Sequence, residues 1–327
     1  MARLKLASYW AAACGGCDVA ILDLHERILK LAELADLVFW PIALDTKYED
    51  VRRMPDGSID VCLFSGAIRN AENQAIAQLL RQRSKLMVAF GSCAHLGGIP
   101  GLANLFTRRD LLRHVYQGSA STLNPETVVP LERVHGPLGE LELPEFWHSV
   151  RTLDQVVPVD YYIPGCPPSS DRIWEVVEAV VAGALPARGS VVGATEVALC
   201  DTCTRTKGEK RIKQFRSIAH FIPDPKTCLL EQGVICCGPA TRGGCGGSCV
   251  SANMPCRGCY GPLPGVVDQG GKLLSAVASV IDSDDPQEIE RIVEGVEDPA
   301  GTFYRFGLPA ALLPGALLPG ARQGEIS

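Results

Sequence analysis

The first half of the chain alternates short apolar runs with amphipathic segments, which is the pattern of an α/β fold. The apolar runs predict strands over residues 3–10, 37–44, 59–66, 85–90 and 161–163. Segments with apolar residues at helical spacing predict helices over residues 18–35, 70–83 and 169–185. This order predicts a doubly wound parallel sheet with helices on both faces and with binding sites beyond the carboxyl ends of the strands.

The second half of the chain has little periodicity and is rich in glycine and proline. The segment GALPARGSVVG, residues 183–193, supplies the turn residues of a domain boundary. We therefore expect a sheet domain over 1–188, a small irregular domain over 189–265, and an extension over 266–327 that packs on the domains or on partner subunits. The extension repeats ALLPG at 311–315 and 316–320, and these prolines exclude a continuous helix.

Charge and hydropathy narrow the class of protein. The 327 residues carry a net charge of −6, which argues against nucleic acid as the main partner. No apolar run approaches the roughly 18 residues that a membrane span needs, so no membrane partner is expected. The N-terminal MARLKLASYWAAAC has too short an apolar part for a typical signal peptide. A cytoplasmic protein is therefore expected.

The chain has fourteen cysteines, and disulfides would explain them only in an oxidising compartment. In a cytoplasmic protein they are instead expected to be thiolate ligands. In the first half, Cys14 and Cys17 follow the first predicted strand, Cys93 follows the fourth, and Cys166 follows the YYI strand. Four thiolates from three turns at one sheet edge suit a [4Fe–4S] cluster. Cys62 differs, because it lies within a strand and is predicted to be a packed apolar residue.

The second half carries two sets of four cysteines. Their spacings are C-x₂-C-x₂₄-C-x₇-C for Cys200, Cys203, Cys228 and Cys236, and C-x₃-C-x₆-C-x₂-C for Cys245, Cys249, Cys256 and Cys259. Two such sets in a glycine-rich segment are typical of a small domain folded around inorganic clusters. Zinc remains the alternative, since Cys₄ zinc sites use similar C-x-x-C pairs.

Five motifs together resemble the small subunit of [NiFe] hydrogenases. They are CGGC at 14–17, GSCA at 91–94, PGCPP at 164–168, CCGPAT at 236–241 and PCRGCYGP at 255–262. The resemblance is strongest to the cytoplasmic F420-non-reducing (methyl-viologen-reducing) type that couples to heterodisulfide reductase in methanogens, and the DPAGTFYRFGLP segment resembles that branch too. It implies a flavodoxin-like first domain, a nickel–iron centre in a large partner subunit, and a third, electron-accepting subunit.

The resemblance also assigns the cysteines to three clusters. The proximal set is Cys14, Cys17, Cys93 and Cys166; the distal set is Cys200, Cys203, Cys228 and Cys236; the medial set is Cys245, Cys256 and Cys259, which Cys249 is available to complete. The better-known membrane-linked members carry histidine in place of Cys200 and proline in place of the fourth medial thiolate, Cys249. Three [4Fe–4S] clusters of low potential are therefore expected. Cys62 and Cys237 are left over, and Cys237 stays an alternative to Cys236.

Other residues carry weaker signals. Asp18 is a candidate proton relay or simply an acid at a helix N-terminus. His95 is a candidate donor to a cluster sulfide or a packed loop residue, and the basic run over 205–216 either steers an acidic redox partner or is a solvated face. No glycine-rich phosphate loop occurs in a strand–turn–helix context, so no flavin or nucleotide is expected. A cluster-bearing module similar to that of respiratory complex I, without hydrogen chemistry, is the alternative function.

Overall fold

A computed structural model describes residues 3–137, 139–209 and 211–313. In these residues the strands are β1 (Leu4–Trp10), β2 (Ala35–Phe39), β3 (Ile59–Ser65), β4 (Ile68–Asn70), β5 (Ser84–Phe90), β6 (Arg133–Gly136), β7 (Gly139–Glu142), β8 (Phe146–Arg151) and β9 (Tyr161–Ile163). The α-helices are α1 (Gly16–Leu22), α2 (Arg27–Leu34), α3 (Tyr48–Arg53), α4 (Ala71–Arg83), α5 (Ser92–Leu96), α6 (Arg108–Arg113), α7 (Ser170–Val181), α8 (Leu199–Thr202), α9 (Ser248–Ser251), α10 (Gln269–Ala278), α11 (Pro286–Glu294) and α12 (Pro299–Phe303). Short 3-10 helices cover Ile99–Leu105, Leu230–Gln232, Gly238–Ala240 and Leu308–Ala310, and a π-helix covers His114–Gly118.

Five strands form one parallel sheet in the order β2-β1-β3-β5-β9. Counted along the chain within this sheet, the order is 2-1-3-4-5, which is the flavodoxin-like arrangement. The predicted fold class is therefore confirmed. In such a sheet the carboxyl ends of all strands face the same edge, so the turns that follow them converge there.

Side chains of the central strands alternate between two apolar layers. On β3, Cys62 and Phe64 belong to the layer that contains α4, and Val61 and Leu63 belong to the layer that contains α7. Both faces of the sheet are covered, so its strands are apolar throughout, as expected for parallel strands. Cys62 is fully buried in this core.

The helix predicted over 18–35 is in fact two helices, α1 and α2. The break lies at His25, whose φ of +52° is incompatible with a right-handed helix. The strand predicted over 37–44 ends at Phe39, because Pro41 has no N–H to donate to a neighbouring strand. Ser169 is the N-cap residue of α7, although its side chain makes no capping hydrogen bond.

An excursion between β5 and β9 was not predicted from the sequence. It contains α6, the antiparallel hairpin of β6 and β7, and β8, which pairs antiparallel with β4. Most of the hairpin side chains are exposed, so the pattern lacks the apolar alternation that marks a half-buried strand.

The cysteine-rich segment and the residues after it share one core. Leu199, Leu229 and Val234 pack in the same cluster as Leu273 of α10 and Ile292 of α11. The segment after α12 continues to the sheet domain, where the Gln155 side chain donates to the Pro309 carbonyl over 2.9 Å. The residues after 265 thus stabilise both parts of the molecule. Residues 314–327, with most of the ALLPG repeat, lie outside the described residues.

None of the helices in the described part of the chain combines the length and the apolar character that crossing a membrane requires.

Candidate iron–sulfur centres

The first predicted ligand set lies in three turns at the carboxyl edge of the sheet. Cys14 and Cys17 follow β1, Cys93 lies in α5 directly after β5, and Cys166 follows β9. The side chains of Cys17 and Cys93 are buried, whereas Cys14 and Cys166 are exposed. The set therefore extends from the interior of the sheet domain to its surface.

Electrostatic interactions join these four thiols. Burial raises the pKa of the Cys17 thiol, and the nearby thiols of Cys93, Cys166 and Cys14 raise it further. Burial and the Cys166 and Cys14 thiols raise the pKa of Cys93 to about 12. A cationic metal core would reverse this effect, because it stabilises the thiolate forms that repel one another in its absence.

Gly91 allows the Cys17 and Cys93 turns to approach each other. Its φ is +86°, and a Cβ at this position would lie 2.4 Å from the Cys17 sulfur. Its N–H donates to the Ile163 carbonyl over 2.8 Å, which ties the same turn to the end of β9. A glycine is therefore required at this position for the first ligand set to form.

The distal candidates surround a single cavity. Its walls include the four predicted ligands together with apolar and basic residues: Cys200, Cys203, Cys228, Cys236, Arg205, Lys207, Leu229, Leu230, Pro239 and Val250. Gly238 lies between two of the thiols, because a Cβ on it would be 3.0 Å from the Cys200 sulfur and 3.7 Å from the Cys236 sulfur. Among the described residues, no three His, Cys, Asp or Glu side chains converge closely enough to hold a single metal ion. The distal thiols enclose a space rather than a point.

The adjacent residues Cys236 and Cys237 point in different directions. Cys236 lines the distal cavity, and its sulfur accepts the Cys256 N–H over 3.3 Å. Cys237 instead directs its thiol toward the Thr302 carbonyl of α12, 3.8 Å away. Of the two alternatives, the residue that faces the other distal thiols is Cys236.

The medial candidates are joined through Cys259. Burial raises the pKa of the Cys259 thiol to about 12, with contributions from the thiols of Cys166, Cys245 and Cys249. Cys256 is buried between Cys259 and the adjacent Cys236 and Cys237, and all three raise the pKa of its thiol in addition to burial. Cys249, in α9, is the exposed member of the set.

An electrostatic contact joins the proximal and medial candidates. The Cys166 thiol raises the pKa of the buried Cys259 thiol, and the Cys166 backbone amide opposes this rise. Ser92, which is buried, strengthens this junction: its N–H donates to the Gly165 carbonyl over 2.8 Å, and its hydroxyl donates to the Cys259 carbonyl over 2.6 Å. The residues next to two proximal cysteines are therefore fixed against a medial cysteine.

A similar junction joins the medial and distal candidates. The Cys256 N–H donates to the Cys236 sulfur, and the Cys237 N–H donates back to the Cys256 carbonyl over 2.9 Å. The second junction is a direct amide–sulfur hydrogen bond, whereas at the first the Cys166 thiol and backbone amide act electrostatically on the Cys259 thiol. The three sets thus form a continuous series rather than three isolated sites.

Asp18 is held inside the sheet domain. Its carboxylate accepts from the Trp40 indole over 2.8 Å and from the Ser65 hydroxyl over 3.4 Å. Burial raises its pKa, and these two hydrogen bonds oppose the rise. The carboxylate lies in the first turn of α1 and joins it to the ends of β2 and β3, which favours the interpretation as a structural helix N-terminal acid.

His95 is a packed residue at the base of the Cys93 turn. Its ring lies 4.6 Å from the Tyr162 ring, centre to centre, and its Nδ1 atom is buried without a hydrogen-bond partner. Burial lowers its pKa to about 4. The imidazole is therefore neutral at ordinary pH.

The basic run over 205–216 does not form one surface. Arg205 is buried, Lys207 and Lys213 are exposed, and the Arg216 guanidinium lies 4.7 Å from the centre of the Phe221 ring. The burial of Arg205 and the contact of Ser92 with Cys259 were not predicted from the sequence. The only sequence signals were that Arg205 lies near Cys203 and that Ser92 lies next to Cys93.

The sheet domain matches a known class of oxidoreductase subunit. A family model described as "NADH ubiquinone oxidoreductase, 20 Kd subunit" matches residues 14–180. This range covers the sheet domain with the proximal candidates, so this part of the chain has the sequence features of that class of oxidoreductase subunit.

The full chain is similar to hydrogenase subunits. It is 42% identical over 316 residues to the iron–sulfur subunit of the F420-non-reducing hydrogenase of Archaeoglobus profundus, covering 95% of this chain and 98% of the relative. It is 38% identical over 316 residues to the corresponding subunit of the F420-non-reducing hydrogenase of Methanothermobacter marburgensis, covering 95% and 96%. The chain belongs to the [NiFe] hydrogenase small-subunit family, and iron–sulfur clusters are the cofactors that this family implies.

A solved structure has the same fold. The [NiFeSe] hydrogenase from Desulfovibrio vulgaris Hildenborough aligns with a TM-score of 0.51 at 16% identity, covering 80% of this chain and 94% of that one. The aligned share of this chain exceeds the length of the sheet domain, so the likeness in fold is not confined to that domain.

Proposed function

We propose that this chain is the electron-transferring small subunit of a [NiFe] hydrogenase whose nickel–iron centre lies in a large partner subunit. The proposal rests on its relatives, which are named as F420-non-reducing hydrogenase subunits over nearly the full chain. Electrons from H₂ oxidation in the large subunit would enter at the proximal set, where Cys14 and Cys166 are exposed. They would leave from the distal set toward a redox partner.

Three [4Fe–4S] clusters are the proposed cofactors. The proximal ligands are Cys14, Cys17, Cys93 and Cys166; the medial ligands are Cys245, Cys249, Cys256 and Cys259; the distal ligands are Cys200, Cys203, Cys228 and Cys236. When bound, each cluster supplies a one-electron carrier. Neither a flavin nor a nucleotide is part of the proposal.

The residues present fit such clusters. The distal thiols surround a cavity, as ligands of a polynuclear cluster do, whereas a Cys₄ zinc ion needs all four sulfurs about 2.3 Å from one point. Backbone amides already donate to candidate ligand sulfurs, as Cys256 does to Cys236. Hydrogen bonds to the sulfurs are one means by which proteins set cluster potentials.

The structural observation that supports the electron-transfer part of the proposal is the continuous order of the three candidate ligand sets. The proximal set contacts the medial set through Cys166 and Cys259, and the medial set contacts the distal set through Cys256 and Cys236. A row of sites that touch in sequence suits stepwise electron transfer, whereas structural metal sites have no need of such contacts.

The proposal also includes the partners that accept the electrons. A third, electron-accepting subunit and a heterodisulfide reductase complex are the proposed acceptors, by resemblance to the F420-non-reducing type. A cytoplasmic site of action belongs to the same proposal, because cysteines remain reduced in that compartment and can serve as cluster ligands.

Purification of the native complex under anaerobic conditions tests the function. Three clusters of four irons predict about twelve irons in this chain, with nickel in a companion chain and H₂-dependent reduction of a viologen dye. Cys17→Ala should abolish dye reduction, and the iron content should fall by about four. Cys62→Ala is the matched control and should retain both, because Cys62 packs in the apolar core.

The complex-I-like alternative has a different outcome. The family model that names an NADH ubiquinone oxidoreductase subunit covers only residues 14–180. A module of that type would hold one cluster of about four irons in the sheet domain and would have no nickel partner. Iron near four with no H₂ activity would therefore replace the proposed function with this alternative, and zinc without iron would exclude both.

A further inference from the structure

Arg205 is a buried cation in the wall of the distal cavity. It is 7% exposed, although it begins a run of basic residues in which Lys207 and Lys213 are exposed. A buried guanidinium is costly unless its charge and its donors are satisfied. The partners of Arg205 therefore indicate what the site is built to hold.

The two terminal nitrogens of Arg205 are fully engaged. One donates to the carbonyls of Asp224 and Thr227 over 2.9 and 3.0 Å. The other donates to the Val250 carbonyl over 2.9 Å and to the Asn253 side chain over 2.7 Å. These bonds fix the guanidinium against the segment before Cys228 and the segment after Cys249.

The charge of Arg205 and one of its donors are left without a partner. All four acceptors are neutral, and no carboxylate in the described ranges forms an ion pair with it. Its Nε–H is buried without a hydrogen-bond partner. A fixed cation with an unused N–H, in the wall of a cavity lined by four thiols, suits an anionic occupant.

We propose that Arg205 is a positioning residue that raises the reduction potential of the distal cluster through its charge and an Nε–H hydrogen bond to a cluster or ligand sulfur. The inference rests on the proposed function, since it requires a cluster in this cavity. A cluster held by four thiolates is anionic, and reduction adds a further negative charge. A fixed cation stabilises the reduced form more than the oxidised form, so the potential rises.

The hydrogen bond is tested first in the unaltered holoenzyme. The complex is prepared with arginine labelled with ¹⁵N at Nε, and the distal cluster is examined by pulsed EPR in its paramagnetic state. We expect a ¹⁵N hyperfine coupling in the unaltered protein and its loss in Arg205→Lys. A distal signal without any ¹⁵N coupling would overturn the hydrogen bond, whereas absence of distal iron would count against the proposed function instead.

The charge is tested by redox titration of the same EPR signal. Arg205→Gln is expected to lower the ratio of reduced to oxidised distal cluster about tenfold at a fixed potential, which equals 59 mV for a one-electron couple. Arg205→Lys keeps the charge and should change this ratio by less than about threefold. Lys213→Gln removes an exposed charge from the same run and should change it by less than about twofold, because solvent and salt screen it.

The outcomes separate a positioning role from a purely structural one. Arg205 also joins two ligand segments, so Arg205→Gln could lose distal iron. In that case the ¹⁵N coupling of the unaltered protein and its loss in Arg205→Lys test whether Arg205 donates a hydrogen bond to the distal cluster. Equal ratios in the unaltered protein and in an iron-complete Arg205→Gln complex would overturn the electrostatic role.

Discussion

At the scale of single residues, the sites depend on which way neighbouring side chains point. Cys236 and Cys237 are adjacent and both buried, yet one faces three other thiols and the other faces the α12 carbonyl of Thr302. The turn into the 3-10 helix Gly238–Ala240 separates them, because successive residues there do not share a face. Sequence spacing alone leaves both residues as candidates.

Alanine substitutions of this pair test the distal ligand set. Cys236→Ala is expected to lower the iron content from about twelve to about eight per chain, since the distal cluster loses a thiolate. Cys237→Ala is the matched control and should keep the full iron content, at a cost of about 1 kcal/mol for the lost packing. Iron analysis and EPR measure the result, and the opposite order of loss would make Cys237 the ligand.

The backbone at Gly91 provides a second test at this scale. Gly91→Ala places a methyl group 2.4 Å from the Cys17 sulfur at a φ of +86°. Backbone strain of about 1–3 kcal/mol and overpacking of a similar size should lower the thermal stability of the complex and its proximal iron content. Gly189→Ala is the control, because Gly189 has a φ of +87° with no atom within 4 Å of the added Cβ. Equal effects of the two changes would show that the contact with Cys17 is unimportant.

At the scale of elements, the sites are built by turns and by the short helices that follow them, such as α1 and α5 after β1 and β5. The parallel sheet brings the ends of β1, β5 and β9 to one edge, and each turn there supplies a proximal candidate. Ser92 then joins this edge to the cysteine-rich part through the Cys259 carbonyl. The strands align the turns, and this serine holds the two parts together.

Ser92→Ala tests this junction. A buried carbonyl left without its donor costs about 1–3 kcal/mol, so the melting temperature of the complex should fall. Looser contact between the Cys166 and Cys259 segments should also weaken the magnetic coupling between the proximal and medial clusters in EPR spectra. Ser8→Ala is the control, because the Ser8 hydroxyl is buried without a partner and its removal should be nearly neutral. Unchanged coupling in Ser92→Ala would contradict a role in aligning the sites.

The elements that the sequence predicts well are the strands that are buried on both faces of the sheet. Buried parallel strands such as β3 and β5 are apolar throughout, so their positions follow from hydropathy alone. The break at His25 and the exposed hairpin of β6 and β7 could not be predicted, because neither leaves a periodic signal.

The candidate sites likewise combine features that the sequence predicts with features that it does not. The grouping of cysteines into three sets follows from motif spacing and the resemblance, and it remains a prediction. The junction residues could not be inferred, because Ser92 and its acceptor Cys259 are 167 positions apart. The role of Arg205 was equally hidden, since its acceptors come from two segments distant in sequence, Asp224–Thr227 and Val250–Asn253.

At the scale of the whole molecule, the three ligand sets extend from the exposed edge of the sheet domain into the cysteine-rich part. The residues after 265 complete the core of that second part and reach back to the Cys93 turn, where the Gly98 N–H donates to the Phe306 carbonyl over 2.9 Å. One connected scaffold thus carries all three candidate sets. If they hold clusters as proposed, local charge and cluster type would set the potential of each.

The medial site provides the test at this scale. Cys249 offers a fourth thiolate where membrane-linked family members have proline, so the unaltered protein should hold a medial [4Fe–4S] cluster. Cys249→Ala is expected to leave a [3Fe–4S] cluster with one iron fewer, about eleven per chain, and a higher medial potential, because the site loses one negatively charged ligand. The side chain is exposed, so the substitution should cost little stability.

Redox-titrated EPR on the anaerobically purified complex distinguishes the two forms of the medial cluster. The unaltered protein should show no [3Fe–4S] signal, whereas Cys249→Ala should show one, with iron at the other two sites retained. A [3Fe–4S] signal in the undamaged, unaltered complex would contradict the four-thiolate assignment. A higher medial potential would also trap electrons before the distal site, so reduction of a low-potential acceptor should slow in Cys249→Ala, whereas reduction of a high-potential dye should persist.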